Sequence, residues 1–260
     1  MTIAGKLGNS LDRSCAAENK KGKMGIFLSI VRLLGKWANI DREYRRDVLS
    51  FFDYNPAARL LDLGCGDGDF TLKVAGKIGT GIVFGLEGGK EYAAAAEKKG
   101  ITCSQADLDA NLPFEDNSFD VVCANQIIEH LSNTDGFLRE IRRVLKPGGY
   151  AVIATPNLAA FHSIVFLLLG WQPHLADVSD AFFWAGRPHT REEEGMAGNM
   201  PHHRRLFTPK ALRELCQYHG LTVERSTVSG FRPLPAFFAR AAVRIFKRYG
   251  DNITVKVRRQ

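Results

Sequence analysis

Three glycines at alternate positions, Gly64, Gly66 and Gly68, follow directly on the apolar run Leu60-Leu61-Asp62-Leu63, and a helical pattern begins at Phe70. Alternate glycines let a chain turn sharply and approach a ligand more closely than any Cβ would permit, while the first turn of the following helix offers unpaired amides. A strand running into such a turn holds a nucleoside-bearing cofactor. Electrostatics narrow the choice. A dinucleotide loop wants G-x-G-x-x-G beside a pyrophosphate, whereas here the third glycine comes one residue early and Asp69 takes the expected position. Asp62, Asp67 and Asp69 crowd the same loop, an arrangement that repels a pyrophosphate and could receive an ammonium or sulfonium. The turn therefore favours a cationic ligand without phosphate.

Holding that turn in place requires a sheet. From Arg59 onward the patterns alternate, with strands expected over 60–63, 82–86, 102–105, 119–124 and 150–155 and helices over 70–77, 90–99 and 133–145. Alternation of this kind builds a parallel sheet wrapped by helices. Lys146-Pro147-Gly148-Gly149 predicts the turn between the last helix and strand, because proline stops a helix and glycine takes positive φ. Upstream, Ile26, Ile30, Leu33, Leu34 and Trp37 recur at helical spacing, and Tyr44, Val48, Leu49 and Phe52 form a second periodic segment, so two helices should cover one side of the core.

After Pro156 the alternation stops. Residues 158–205 combine an apolar helix, aromatic residues and a polar loop over 187–200, the make-up of a lid. Thr208-Pro209 opens a helix as N-cap and first helical residue, Gly220 ends it, and 222–228 and 253–257 read as closing strands. Between them 235–249 sets Phe238, Ala242, Ile245 and Tyr249 against Arg240, Arg244, Lys247 and Arg248, a basic amphipathic helix. The expected organisation is an arm and amphipathic helix over 1–40, then one domain over 41–260. Within it lie a cofactor-binding core at 59–157, a lid at 158–205, and C-terminal helices and closing strands at 206–260.

A chain of 260 residues with 45% hydrophobic and 24% charged residues is globular material, large enough for one α/β domain with additions. Cys15, Cys65, Cys103, Cys123 and Cys216 are odd in number and never form a C-x-x-C pair. They give neither a disulfide framework nor a zinc knuckle, so no metal is expected and a reducing cytoplasm is the simplest compartment. Nothing reads as a signal peptide, and the apolar stretch at 164–169 falls short of the ~20 residues a spanning helix needs. The net charge of +7 is uneven: residues 1–46 hold ten Lys/Arg against four Asp/Glu and residues 231–260 hold eight against one, leaving an acidic body between them. Basic ends attract phosphate-bearing surfaces such as anionic lipid or nucleic acid, although a solvated helix face is the plain reading of such a run.

The run Asp62-Leu63-Gly64-Cys65-Gly66-Asp67-Gly68 resembles the E/D-x-G-x-G-x-G signature of class I S-adenosylmethionine-dependent methyltransferases. Further matches follow in the family's order. These are Glu87, nineteen residues after Gly68; Asp107-Leu108; Leu112-Pro113-Phe114-Glu115-Asp116-Asn117-Ser118-Phe119-Asp120; Glu129-His130-Leu131; Arg143-Val144-Leu145-Lys146-Pro147-Gly148-Gly149; and Thr155-Pro156-Asn157. His203-Arg204-Arg205-Leu206-Phe207-Thr208 looks more loosely like the branch that includes ubiquinone-type O-methyltransferases. The resemblance implies a Rossmann-like, doubly wound α/β fold whose seven-stranded sheet has order 3-2-1-4-5-7-6 with strand 7 antiparallel, here joined by N-terminal helices and a helical lid insert.

It also implies roles. Asp62, Gly64, Cys65, Gly66 and Gly68 would lie at the methionine end of S-adenosyl-L-methionine, whose product is S-adenosyl-L-homocysteine. Glu87 would accept from both ribose hydroxyls, as in dinucleotide folds. Asp107 would accept from the adenine amino group, the Leu108 amide would meet the ring, and Asn125 and Gln126 would lie near the sulfonium. Cys65 itself is a small packing residue with no context that would activate a thiol.

Methyl transfer from a sulfonium is an in-line displacement, in which positioning and exclusion of water supply much of the acceleration. An oxygen acceptor needs a base. His130 and Glu129, at the sheet's carboxyl edge, suit that role, although a histidine at a helix start is often structural; His162, His202 and His203 are lid-side alternatives. The fourth strand lacks the Asn/Asp-Pro-Pro-Tyr/Phe motif of exocyclic-amine methyltransferases, and no Pro-Cys nucleophile is present, so nucleic acid ranks below a small molecule as acceptor. Phe161, Ile164, Phe166, Leu168, Trp171, Phe182, Phe183 and Trp184 are expected to form an apolar lid, part core packing and part pocket. The reading is O-methylation ahead of N- or C-methylation, of an aromatic, quinone-like or lipid-linked molecule, with peripheral contact to anionic membrane through the basic ends. The rival readings are a non-catalytic cofactor-binding protein, a nucleic-acid methyltransferase and an NAD-linked oxidoreductase.

Overall fold

In the computed structural model, the residues described are 38–179, 185–187, 202–231, 241, 245, 246 and 248–260. Seven strands form one sheet: β1 (Arg59–Leu63), β2 (Ile82–Glu87), β3 (Thr102–Gln105), β4 (Phe119–Asn125), β5 (Leu145–Pro156), β6 (Leu221–Ser229) and β7 (Asn252–Arg259). Their order is β3-β2-β1-β4-β5-β7-β6. The first five run parallel, and β7 lies antiparallel to both β5 and β6. The expected order and the single reversed strand are both present.

The period-2 alternation of β1 sorts its leucines onto two faces. Leu61 and Leu63 join Leu86, Val122 and Ala124 under α4 (Thr134–Val144), which contributes Phe137, Leu138 and Ile141, and under α6 (Pro209–Tyr218), which contributes Leu212 and Cys216. Leu60 joins Val83, Val121 and Val152 on the opposite face. There they meet α1 (Ala38–Leu49), α2 (Asp69–Ile78) and α3 (Lys90–Lys98) through Val48, Val74, Ile78, Ala93 and Ala96. Burial on both faces is why these strands read as continuous apolar runs. The remaining described helix, α5 (Phe161–Leu168), starts the lid.

Local signals explain the boundaries. The Thr208 side chain accepts from the Ala211 amide (3.2 Å), with Pro209 in the first turn of α6, and Gly220 takes φ +73° after it. The Lys146–Gly149 segment behaves differently from the simple turn expected. Leu145 already pairs with Phe119, and the next pair is Val121 with Tyr150, so the four residues loop out of a strand that has begun. Gly148 carries the reversal at φ +79°.

The N-terminal arm and the helix read from Ile26 to Trp37 lie outside the described residues, as do Phe182, Phe183, Trp184, most of the polar loop at 187–200 and most of the basic helix at 235–249. Of the lid, residues 171–179 and 185–187 are tied together by a buried ion pair between Arg187 Nη2 and Asp177 Oδ1 at 3.0 Å. Leu167, Leu168 and Leu169 at the end of α5 are exposed. Among the described residues no helix is long and apolar enough to cross a membrane.

Candidate active site

The glycine turn sits at the carboxyl end of β1, between β2 and β4, where the two halves of the sheet diverge. This is the crevice in which open α/β sheets bind ligands. All three glycines have positive φ, at +75° for Gly64, +55° for Gly66 and +85° for Gly68. Their surroundings differ. A Cβ at Gly64 would stand 2.7 Å from Ile127 Cδ1, and one at Gly68 would stand 2.5 Å from Ile101 Cδ1 and 3.3 Å from the Ala96 Cα of α3. At Gly66 it would meet nothing within 4 Å. Gly64 and Gly68 thus permit the protein's own packing, and Gly66 alone turns its bare face to open space.

Glu87 is joined to that turn. Its Oε2 accepts from the Gly66 amide (2.9 Å) and its Oε1 from the Gly89 amide (2.9 Å), which leaves further lone pairs on each oxygen for ribose hydroxyls. Asp107 is exposed on the next loop, with Oδ1 held by the Asp109 amide at 2.9 Å, while Leu108 is buried in the core beneath it. Cys65 packs at 3.5 Å from the Cys103 sulfur and against the bare Cα of Gly85. Burial pushes its thiol well above the usual range, which agrees with a packing role.

The three acids of the turn are not the single acidic cradle for a cation that the sequence suggests. Asp62 is buried, accepts from the Thr71 hydroxyl at 2.6 Å and ties β1 to α2. Burial raises its pKa to about 6 against the lowering effect of its Thr71 and Cys123 hydrogen bonds. Asp67 and Asp69 lie outside and are both paired with Lys99, at 2.9 and 2.6 Å. The charges that would select a cationic ligand are therefore neutralised by Lys99 or turned inward, and Glu87 is the acidic group bonded to the turn's own backbone.

Beyond β4 the chain makes a tight reversal in which Gln126 takes φ +57°. The Tyr44 hydroxyl of α1 donates to Asn125 Oδ1 and accepts from Gln126 Nε2 (2.7 Å). Gln126 also donates toward Asn252 Oδ1 at 3.4 Å. Tyr44 was read from the sequence only as a helix-face residue. The available signal was its hydroxyl, because a buried tyrosine needs a polar partner.

Glu129 and His130 lie in the 3-10 turn Ile128–His130. Glu129 is 2% exposed; its Oε2 accepts from the Thr155 hydroxyl at 2.9 Å, and its Oε1 has no hydrogen-bond partner among the described residues. Burial raises this carboxyl to about 7, opposed by a backbone hydrogen bond and by Thr155. The His130 ring donates from Nδ1 to the His202 carbonyl (2.9 Å) and places Nε2 4.0 Å from Glu129 Oε1.

Segment 202–205 is fastened onto this turn. The Arg204 and Arg205 amides donate to the Glu129 carbonyl at 2.7 and 3.0 Å, and their guanidinium groups reach Ser132. His203 is thereby brought to 5.1 Å, ring to ring, from His130, and burial together with His130 lowers its pKa. A cleft of about 450 Å³ opens beside it, bordered by Ser132, Asp177, Arg204 and Arg205. The structure thus gathers Glu129, His130 and His203 into one cluster. His162 is placed elsewhere, 3.1 Å from Asp251, and His202 faces Asp177 at 3.8 Å.

The other sequence motifs are architectural. Arg143 binds Glu140, Asp116 and the Leu112 and Phe114 carbonyls, which fixes the Leu112–Asp120 run against α4. Asn157 is fully buried and donates to the Arg248 and Gly250 carbonyls at 2.9 and 2.6 Å, locking the lid's first residues to the chain before β7.

Residues 61–153 match the methyltransferase domain family. The chain is 34% identical over 155 residues to a ubiquinone/menaquinone biosynthesis C-methyltransferase of Geotalea daltonii, an alignment covering 55% of this chain and 66% of that protein. It is 32% identical over 165 residues to a demethylmenaquinone methyltransferase of Staphylococcus aureus, covering 57% of this chain and 67% of that one. With a Bacillus licheniformis demethylmenaquinone methyltransferase the covered share of the relative is 58%, so the chain spans between about half and two thirds of the curated relatives it matches.

Among solved structures, a methyltransferase from Mesorhizobium loti superposes with a TM-score of 0.57 at 22% identity, covering 82% of this chain and 96% of that one. The cyclase SpnF superposes with a TM-score of 0.54 at 19% identity, covering 83% and 79%, so the fold by itself is shared across chemistries. Family match, relatives and cradle agree: the chain belongs to the class I S-adenosylmethionine-dependent methyltransferases, with S-adenosylmethionine as its cofactor.

Proposed function

We propose that this chain transfers a methyl group from S-adenosylmethionine to a small, hydroxylated, aromatic or quinol-like acceptor, with Glu87, Asp107 and the Gly66 backbone binding the cofactor. The observation that carries the reading is Glu129: a buried carboxyl with one unpartnered oxygen and a pKa of about 7, beside His130 and beyond the strand that flanks the glycine turn. A base of that strength removes a proton from an acidic hydroxyl near neutral pH. In the reaction the acceptor O–H proton passes to the Glu129/His130 pair and the oxygen attacks the methyl carbon in line. The S–CH3 bond breaks with its electron pair left on sulfur, giving S-adenosylhomocysteine. Asn125 and Gln126, oriented by Tyr44, would line the sulfonium end.

Transfer to a ring carbon is a second reading, favoured by the C-methyltransferase and demethylmenaquinone methyltransferase relatives. It uses the same deprotonation, because the charge of an aryloxide is shared with its ring carbons; the methylated carbon then loses its hydrogen as a proton and the aromatic aryloxide is restored. The test is a labelled-methyl assay on a panel of hydroxyarenes and quinols, with the product's methyl position read by NMR. O-methyl product supports the first reading and C-methyl the second. Cofactor binding without turnover on any acceptor, including cell-extract fractions, rejects both in favour of a non-catalytic cofactor-binding protein.

For its partner surface we propose peripheral contact with anionic membrane in a cytoplasmic setting, supported by the exposed Leu167, Leu168 and Leu169 of the lid and the basic residues at both ends of the chain. Sedimentation with phosphatidylserine vesicles at low salt should carry the protein down, and a protein that stays in the supernatant rejects the contact.

A further inference from the structure

The sequence, with no paired cysteines, predicts no metal, yet the fold assembles a ligand set from segments more than seventy residues apart. One donor atom each from Glu129, His130 and His203 lies within 4.8 Å of the other two. Three features mark these atoms as ligands rather than neighbours. Glu129 Oε1 is buried and has no hydrogen-bond partner, while Oε2 is held by Thr155 at 2.9 Å, so the carboxylate is anchored on one side and open on the other. His130 Nδ1 is spent on the His202 carbonyl at 2.9 Å and His203 Nδ1 on the Leu175 carbonyl at 3.3 Å. A ring N–H given to a backbone carbonyl fixes the tautomer that leaves Nε2 bare, the usual outer-shell arrangement of metal-binding histidines. Finally, two imidazoles and one carboxylate, of which His203 borders a cleft, match a three-ligand site with an open position.

We infer that Glu129, His130 and His203 bind a first-row divalent transition metal ion of the zinc type. Two imidazoles and a carboxylate select such an ion over magnesium or calcium, which take oxygen ligands. Bound tetrahedrally at about 2.0–2.1 Å, the donors would stand about 3.4 Å apart. The 4.0 Å between His130 Nε2 and Glu129 Oε1 therefore closes by small side-chain rotations. Arg204 and Arg205, whose amides bond the Glu129 carbonyl, keep His203 in register with the turn. The ion would occupy the same Glu129 and His130 atoms that act as the base in the proposed methyl transfer, so the two states exclude each other, and ion binding does not rest on that transfer.

The test uses the full chain, stripped with chelator and titrated with Co2+ followed by Zn2+, with S-adenosylhomocysteine affinity measured in parallel as the check on the fold. The expected result is one equivalent of Co2+ with a visible d–d band, displaced by Zn2+ but not by Mg2+. Affinity should fall on the order of 100-fold or more in Glu129→Gln and in His203→Gln, and stay unchanged in His219→Gln, which removes a histidine paired with Asp135. His203→Cys keeps three ligands and should add a sulfur-to-cobalt charge-transfer band. Absence of stoichiometric Co2+ binding, or an unaltered band in the Glu129→Gln/His203→Gln double variant, overturns the site. Because binding is read without an acceptor, the outcome is independent of whether methyl transfer is found.

Discussion

Replacing Gly66 and Gly68 by alanine separates the two tasks of the glycine turn. Both residues have left-handed backbone, φ +55° and +85°, which costs an L-residue about 1–2 kcal/mol. At Gly66 no further cost arises, because its Cβ would meet nothing within 4 Å and the amide bond to Glu87 is retained. At Gly68 the added carbon stands 2.5 Å from Ile101 Cδ1 and 3.3 Å from the Ala96 backbone. The isoleucine can turn away but the helix cannot, so overpacking adds about 1–3 kcal/mol. Urea denaturation should therefore show losses of about 1–2 kcal/mol for Gly66→Ala and about 2–5 kcal/mol for Gly68→Ala.

Calorimetry with S-adenosylhomocysteine should rank the variants in the opposite order. If the cofactor occupies the open space at Gly66 as proposed, Gly66→Ala should bind at least about tenfold more weakly, a difference of about 1.4 kcal/mol. Folded Gly68→Ala should bind nearly as the wild type does. Wild-type affinity in Gly66→Ala would refute the assignment of that face to the cofactor, however stable the variant proved.

Asp107→Ala, at an exposed carboxylate bonded only locally to the Asp109 amide, should weaken S-adenosylhomocysteine binding by about 1.5–3 kcal/mol with no change in melting temperature. The buried carboxyls Asp62 and Glu129, raised to about 6 and about 7, make the native state hold protons that the unfolded chain releases. Stability should therefore be greatest below about pH 4 as far as these groups are concerned and fall as the pH rises through 6 to 7, by on the order of 3 kcal/mol for each. Asp62→Asn should flatten its share of that slope in urea midpoints measured between pH 4.5 and 8. Tyr44→Phe removes the hydroxyl shared by Asn125 and Gln126; it should cost about 1–3 kcal/mol of stability and slow single-turnover methyl transfer more than it weakens cofactor binding.

Local patterns were enough for most of the elements along the chain, while the order of the strands in the sheet came from the family resemblance. The strands were legible because a parallel strand buried on both faces is a continuous apolar run, and α6 because Thr208, Pro209 and Gly220 mark its ends by chemistry within one turn. Gly66, Glu87 and Asp107 could be placed at one edge of the sheet for a related reason: each stands at or just beyond the end of a strand. The Lys146–Gly149 loop was misread as a simple helix-to-strand turn because the pairing of Leu145 with Phe119 depends on a partner strand and leaves no mark in the segment itself.

Charge and proximity were the other part, and neither is local. Asp62, Asp67 and Asp69 are neighbours in the chain, but Asp62 is turned inward to Thr71, and Asp67 and Asp69 are paired with Lys99 from beyond α3. By sequence alone they made one acidic cradle; desolvation and a distant lysine decide what each does. The same holds for the proposed base. The chain by itself determined that Glu129 and His130 follow the fourth strand. Only tertiary structure decided that Thr155 would hold one carboxylate oxygen, that burial would raise its pKa, and that the backbone of Arg204 and Arg205 would carry His203 to the same point. Glycine positions and strand ends are properties of a few consecutive residues, whereas protonation and ligand sets depend on which distant groups the folded chain brings within a few ångströms.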